Sequence, residues 1–337
     1  MSLPMYENAT ASKVYGIDYM NPIPDISIVI PVKNGMQTLP DLLKGIQSQT
    51  LFSRCEVVVV DSGSTDGSVG FLSQFPFVRV IPIDPKSFNH GATRNLAVQH
   101  TKGNYVVMTV QDAMPSDEIW LDRMLRHFED TSVAGVCGQQ IVPHHSDKNP
   151  HEWFRPQSDP IIRAVQFKSK ADFDSLSPLE KRLACGWDDV NAMYRKNVLE
   201  EIPFEPVAFG EDMLWAKAAL QQGHKLIYDY SVRVNHYHYQ SPDYTFRRVL
   251  ITNVFIYKCF GLVRNSIYSL KDYALVVYRN FKWRLHPKWI IHNFNILRNH
   301  NKATRVLLEA LKNNTLPALE QSLALNVPLG KQNINKK

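Results

Sequence analysis

Two apolar runs, residues 26–31 (ISIVIP) and 56–60 (EVVVV), are short, β-branched and uninterrupted, and between them Leu39, Leu42, Leu43 and Ile46 recur at helical spacing. Strands that are apolar on both faces belong to parallel sheets covered on each side by crossover helices. The alternation continues with a helix over 65–74, a strand at 78–82, a helix opening near Ala92 and a strand over 105–110. Further on, the stretch 186–204 predicts a strand and a helix that return to the sheet. A helix then opens at Glu211, with Gly223 as its stop, and strands follow at 225–228 and 232–239. The pattern predicts an α/β fold built on a doubly wound open sheet, with a helical extension beyond Tyr244.

In such sheets ligands bind beyond the carboxyl ends of the strands. The polar residues fall there: Lys33 and Asn34 after the first strand, the DSGSTD segment from Asp61 to Asp66 after the second, and Gln111 and Asp112 after the fourth. A loop carrying Asn89, His90 and Gly91 leads into the third helix, with Arg94 in its first turn. A helix N-terminus beside a guanidinium suits a phosphate, and an acidic residue just past a buried strand can hold a divalent cation against it. Helix caps and turns use the same residue types. Neither GxGxxG nor GxxxxGK[ST] is present, which excludes the dinucleotide fingerprint and the P-loop.

Composition changes the picture in three ways. At 337 residues and 44% hydrophobic content the chain buries a large core. The four cysteines lack any metal-ligand spacing, which fits reduced thiols, and the polar N-terminal stretch shows no secretory signal, so the expected compartment is the cytoplasm. The formal charge of +6 hides an asymmetry, because from Gln240 onward 16 Lys and Arg face 4 Asp and Glu. Trp and Tyr interleave with these basic residues. That composition suits helices lying peripherally on the inner face of an anionic membrane, or a bundle packed on the main domain or on a second copy in a homo-oligomer. No nucleic-acid module is recognisable.

VIPVKN, VVVVDSGSTDGS, GATRNLA followed by an acidic turn, and GEDMLWAKAALQQGHKLIY, in this order, resemble the family 2 glycosyltransferases of the GT-A fold, which implies a Rossmann-like, doubly wound mixed sheet. The match covers about residues 25 to 240, leaving 1–24 as an extension and 241–337 as a basic helical region. Within the family, FNHGATRN and TVQDAMP are most similar to bacterial rhamnosyltransferases.

The resemblance implies an inverting glycosyltransferase that moves a sugar, L-rhamnose from dTDP-L-rhamnose, onto a saccharide or lipid-linked acceptor. The alternatives are a UDP-sugar donor, glucose or N-acetylglucosamine, and a non-catalytic membrane or assembly module. The implied nucleotide-sugar contacts are Pro31, Val32, Asn34, Asp61, Ser62, His90, Arg94, Gln111 and Asp112, with Asp61 reading the base and Arg94 facing the departing diphosphate. Asp189, Asn191 and, in the irregular stretch after Val142, Trp153 are implied on the sugar and acceptor side. Asp212 is implied as the catalytic base beside Glu211, ionised at neutral pH without special tuning. Where relatives carry two carboxylates this chain has Gln111, Asp112 and Ala113, so an implied Mg²⁺ or Mn²⁺ falls to Asp112 and one of His236 and His238.

Overall fold

The computed structural model describes residues 24–145, 147–153, 160–207, 209–238, 241–263 and 267–323. The N-terminal extension ahead of residue 24 lies outside them. The first half is the expected βαβ series: β1 (Ile26–Val32), α1 (Leu39–Gln47), β2 (Cys55–Asp61), α2 (Ser68–Leu72), β3 (Val78–Pro82), α3 (His90–Gln99) and β4 (Tyr105–Thr109). These strands lie parallel in the order β3-β2-β1-β4. The chain changes direction across the sheet between β1 and β4. Pro31 follows the last β1–β4 pair, Val29 with Met108, so its missing N–H breaks no bond on that side. An open α/β sheet forms its ligand crevice at such a switch point, beyond the carboxyl ends of the strands.

The sheet then becomes mixed. After β5 (Met114–Pro115) and α4 (Trp120–Leu125) comes β6 (Val133–Ile141), then α5 (Pro150–Trp153), β7 (Ile162–Val165), α6 (Lys170–Asp174) and α7 (Pro178–Ala184). The sheet is completed by β8 (Asn191–Arg195), α8 (Lys196–Glu201), α9 (Glu211–Gln221) and β9 (Lys225–Asn235). β8 runs antiparallel between β4 and β6, and β9 pairs with β6, β7 and β5. The helix expected over 65–74 is confined to Ser68–Leu72, and two further boundaries move. Strands expected at 225–228 and 232–239 are one strand, β9, whose pairing with β6 shifts register between Cys137 and Gln139, and the two histidines follow its end. Helix α3 opens at His90 rather than near Ala92, because the Asn89 side chain accepts from Ala92 N–H and caps it.

Alternate strand residues feed two cores. Val58, Val60, Val106 and Met108 pack with α3, α8 and α9, whereas Val57, Val59 and Val107 pack with α1 and α4. Burial of each such side chain is worth roughly 1.5–3 kcal/mol.

Among the described residues four helices follow: α10 (Pro242–Phe260), α11 (Leu270–Lys282), α12 (Lys288–Lys312) and α13 (Leu316–Leu323). Helix α10 has two buried faces. Ile256 and Phe260 join the core that holds Trp215 and Ala219, while Leu250 and Val254 meet Ala303 and Leu307 of α12. The change near residue 240 is thus one of composition, and the packing runs across it.

Candidate active site

The register of β5 on β9 assembles the first cluster. Met114 lies opposite Asn235, so the turn holding Asp112 arrives beside the residues that follow β9. One ligand atom each from Asp112, His236 and His238 lies within 4.8 Å of the others. His236 Nε2 is 3.6 Å from Asp112 Oδ1, and His238 Nδ1 is 3.7 Å from Asp112 Oδ2. Both histidines, not one of them, reach the aspartate.

Gln140 at the end of β6 sets the orientation of the first. Its amide nitrogen donates to the Asp188 carboxylate, so its oxygen is left to accept from His236 Nδ1 at 2.7 Å. The tautomer follows. Nδ1 carries the proton on that bond, and Nε2 is the nitrogen that faces Asp112, buried and without a hydrogen-bond partner. A buried imidazole nitrogen in that state, next to a carboxylate and a second imidazole, fits a divalent cation. Mixed nitrogen and oxygen donors suit Mn²⁺ better than Mg²⁺. The neighbouring positions offer nothing more, for Ala113 lies in the core and Gln111 is turned back to clamp Lys33 through its main-chain N–H and carbonyl.

The second cluster joins α3 to α9. The Arg94 guanidinium places Nε 2.9 Å from Asp189 Oδ2 and Nη1 2.5 Å from Glu211 Oε1, and all three side chains are at least nine-tenths buried. Arg94, expected to face the departing diphosphate, has its Nε and Nη1 paired with two carboxylates inside the protein. Asp189 also accepts from the Tyr194 hydroxyl, which accepts in turn from Trp187 Nε1 at 2.7 Å. Asp189, expected on the sugar and acceptor side, is buried, and so is Asn191, which is bonded to Trp120, Gln139 and Val232. The half-buried Asp188, not singled out by sequence, is the acidic residue that links the two clusters.

The rest of the NHGATRN segment serves the same joint. A Cβ on Gly91 would meet the Glu205 carbonyl oxygen at 1.9 Å, so only glycine lets α3 approach the loop that leads to α9. Asn95 holds that loop like a strand neighbour, donating to Phe204 O at 2.8 Å and accepting from Phe204 N–H at 2.9 Å. Gly210, the N-cap of α9, has φ +81°, and a Cβ there would strike the Phe255 ring of α10.

Three carboxylates around one guanidinium shift the proton equilibria. Burial raises the pKa of Asp189 to about 7 although Arg94 opposes the shift. Asp212 is raised well above the ordinary aspartate value, first by burial and then by repulsion from Glu211, Asp189 and Asp188; the Met213 N–H, donating to Oδ1 at 2.7 Å, only partly offsets this. The expectation of an untuned Asp212 is overturned, because desolvation and like charges outweigh the helix terminus. His90, at the start of α3 and edge-on to Phe88, is lowered by burial, with Glu211 in partial opposition.

The loops after β1 and β2 latch onto each other. Asn34, at φ +49°, accepts from Thr65 N–H and donates from its own N–H to Ser64 Oγ. Asp61 accepts from Gly63 N–H and Ser64 N–H, both at 3.0 Å, and Ser62 bonds to Val32 O. The Val32 side chain is part of the core and Pro31 is half-buried. Trp153 ends α5, and its side chain is outside the described residues.

Residues 27–203 match the model of glycosyl transferase family 2. The chain belongs to this family. Among its relatives, the O-antigen chain rhamnosyltransferase RfbN of Salmonella typhimurium is 33% identical over 237 residues, covering 68% of this chain and 72% of that one. WbaN, an O-antigen chain rhamnosyltransferase of Salmonella anatum, is 31% identical over 241 residues, covering 69% and 72%. In fold the transferase is similar to residues 1–349 of S. aureus TarS in complex with UDP, at 14% identity and a TM-score of 0.51, covering 86% of this chain and 92% of that one. A mannosyltransferase of Pyrobaculum calidifontis, solved with GDP-Man and Mn²⁺, gives 19% identity and a TM-score of 0.51, covering 90% and 81%. The likeness places the family 2 transferase in the GT-A class of folds, and it is a glycosyltransferase.

Proposed function

We propose that this family 2 transferase moves L-rhamnose from dTDP-L-rhamnose, with inversion at the anomeric carbon, onto a saccharide or lipid-linked acceptor in cell-surface polysaccharide synthesis. Similarity to two O-antigen chain rhamnosyltransferases over more than two thirds of each chain supports the sugar and the class of acceptor. The observation that carries the catalytic reading is the assembly of Asp112, His236 and His238 in a structure that also holds a carboxylate cluster of Asp189, Glu211 and the half-buried Asp212.

In this reading the acceptor oxygen bonds to the anomeric carbon as the bond from that carbon to the diphosphate oxygen breaks, and the hydroxyl proton passes to Asp212. A raised pKa suits that base, since proton transfer is most effective when the catalytic group titrates near the working pH. Asp112, His236 and His238 would hold a divalent cation, which when bound neutralises charge on the diphosphate. Arg94 keeps Glu211 and Asp189 in register behind the base, and Gln140 keeps His236 turned to the cluster. Asp61, at the carboxyl end of β2, is proposed to face the pyrimidine base while holding its own loop.

The test is nucleotide release by the purified chain from dTDP-L-rhamnose, UDP-glucose and UDP-N-acetylglucosamine, with and without membrane glycolipid extract and with and without chelator. Acceptor-stimulated release of dTDP that stops in chelator is expected. Faster release of UDP would overturn the donor assignment.

A further inference from the structure

The face formed by α11 and α12 is built unlike the rest of the surface. Of thirteen exposed large hydrophobic side chains among the described residues, seven fall between Ile267 and Ile291, including Leu270 at 88%, Phe281 at 74% and Ile291 at 68% exposure. Scattered apolar residues are ordinary on a surface, but a local concentration marks an interaction site. On α11, Leu270, Ala274, Tyr278 and Phe281 form one outward stripe, on the side away from the buried Val276 and Asn280. On α12, the spacing of Ile291, Arg298, Lys302 and Arg305 puts them on a common face.

A groove of about 460 Å³ lies between the two helices, with Tyr273 on one wall, Arg298, Lys302 and Arg305 on the other, and Glu309 among its lining residues. Among the described residues none of these three cations has a carboxylate within ion-pair distance. From Tyr273 to Leu308 the sequence carries seven Lys and Arg and no Asp or Glu. A symmetric contact with a second copy would set this cationic face against itself. Nucleic acid would leave Leu270 and Ile291 with nothing to pack on.

We propose that the α11–α12 face docks on an anionic lipid bilayer, with the apolar stripe at the headgroup boundary and a lipid phosphate in the basic groove. The docked element is tied to the active site. Asn293 of α12 and the fully buried Asn149 exchange amide hydrogen bonds at 3.0 and 3.1 Å, and Asn149 N–H donates to the hydroxyl of Tyr237, the residue between the two histidines. The bilayer thus sets the orientation in which a lipid-linked acceptor meets the site. That last step rests on the proposed function, whereas the docking itself does not.

Cosedimentation of the full chain with vesicles tests it, comparing phosphatidylcholine alone with phosphatidylcholine containing one third phosphatidylglycerol. Binding to the anionic vesicles only, weakening as salt rises, is expected. Each cation near such a surface contributes about fivefold in affinity, so Arg298→Gln, Lys302→Gln and Arg305→Gln together should lower binding roughly 100-fold. Leu270→Asp with Phe281→Asp should lower it as well, and neither set should alter the melting temperature or acceptor-independent donor hydrolysis. Absence of vesicle binding at low salt, or wild-type binding by both variants, would overturn the docking. So would a dimer that these substitutions dissociate, which would assign the face to a second copy. Loss of donor hydrolysis with docking intact would fall on the proposed function alone.

Discussion

Gln140 accepts a hydrogen bond from His236 Nδ1 at 2.7 Å, and that contact decides which imidazole nitrogen faces Asp112. The glutamine is itself oriented by Asp188, so a residue of β6 and one of the turn before β8 fix the chemistry of a residue that follows β9.

Removal of this partner should therefore loosen the cation without touching a ligand. Gln140→Ala is expected to weaken Mn²⁺ binding about 10- to 100-fold, the usual worth of a group that orients a metal-bound histidine. Calorimetric titration of Mn²⁺ into the nucleotide-free protein checks this. Unchanged affinity would separate Gln140 from the site.

The raised pKa of Asp212 fixes the direction of the pH profile. A base must be ionised to accept a proton, so the acid limb of kcat/KM should lie above the ordinary carboxylate range. Glu211 is the nearest cause after burial. Glu211→Gln should move that limb to lower pH, and a limb that stays in place would show that Glu211 does not act on the base.

Stability should carry the mark of Asp189. Its folded pKa of about 7 stands above the unfolded value of about 3.9, so between these the folded state binds more protons and stability falls as pH rises. The contribution is complete below about pH 4 and lost above about pH 7. Asp189→Asn should melt with less dependence on pH across this window than the parent protein. Equal slopes in calorimetric scans would contradict the strained-carboxylate account.

Gly91 is a purely structural part of the joint between α3 and α9. The 1.9 Å approach of a Cβ to a main-chain oxygen cannot be relieved by a rotamer, so Gly91→Ala should cost about 2 kcal/mol or more in chemical denaturation. A loss below about 0.5 kcal/mol, typical of an open surface position, would show that the loop at Glu205 yields freely.

Much of this was legible in the chain. The βαβ series follows from apolar runs such as VVVV in β2, because a doubly covered strand leaves no polar positions. β6 was not, since AGVCGQQ carries two glycines and little β-branching; Gly138 is forced by Asn191 and Val232 O, both 2.3 Å from where its Cβ would sit. Its absence from the sequence reading also hid Gln140. Asp189 was visible and Asp188 was not, and the burial of Asp189 goes with Arg94, which is 95 positions away from it in the chain. Arg94 itself reads as a phosphate ligand until its carboxylate partners are in place. Long-range pairing of this kind leaves no local signature.

The central claim is that Asp212 takes the acceptor proton. Asp212→Asn keeps the shape and removes the charge, and general-base catalysis is worth typically ~10²- to 10⁴-fold. Single-turnover transfer from bound dTDP-L-rhamnose should therefore slow at least about 100-fold, while dTDP affinity stays within about threefold. Near-normal transfer by this variant would contradict the account at its centre.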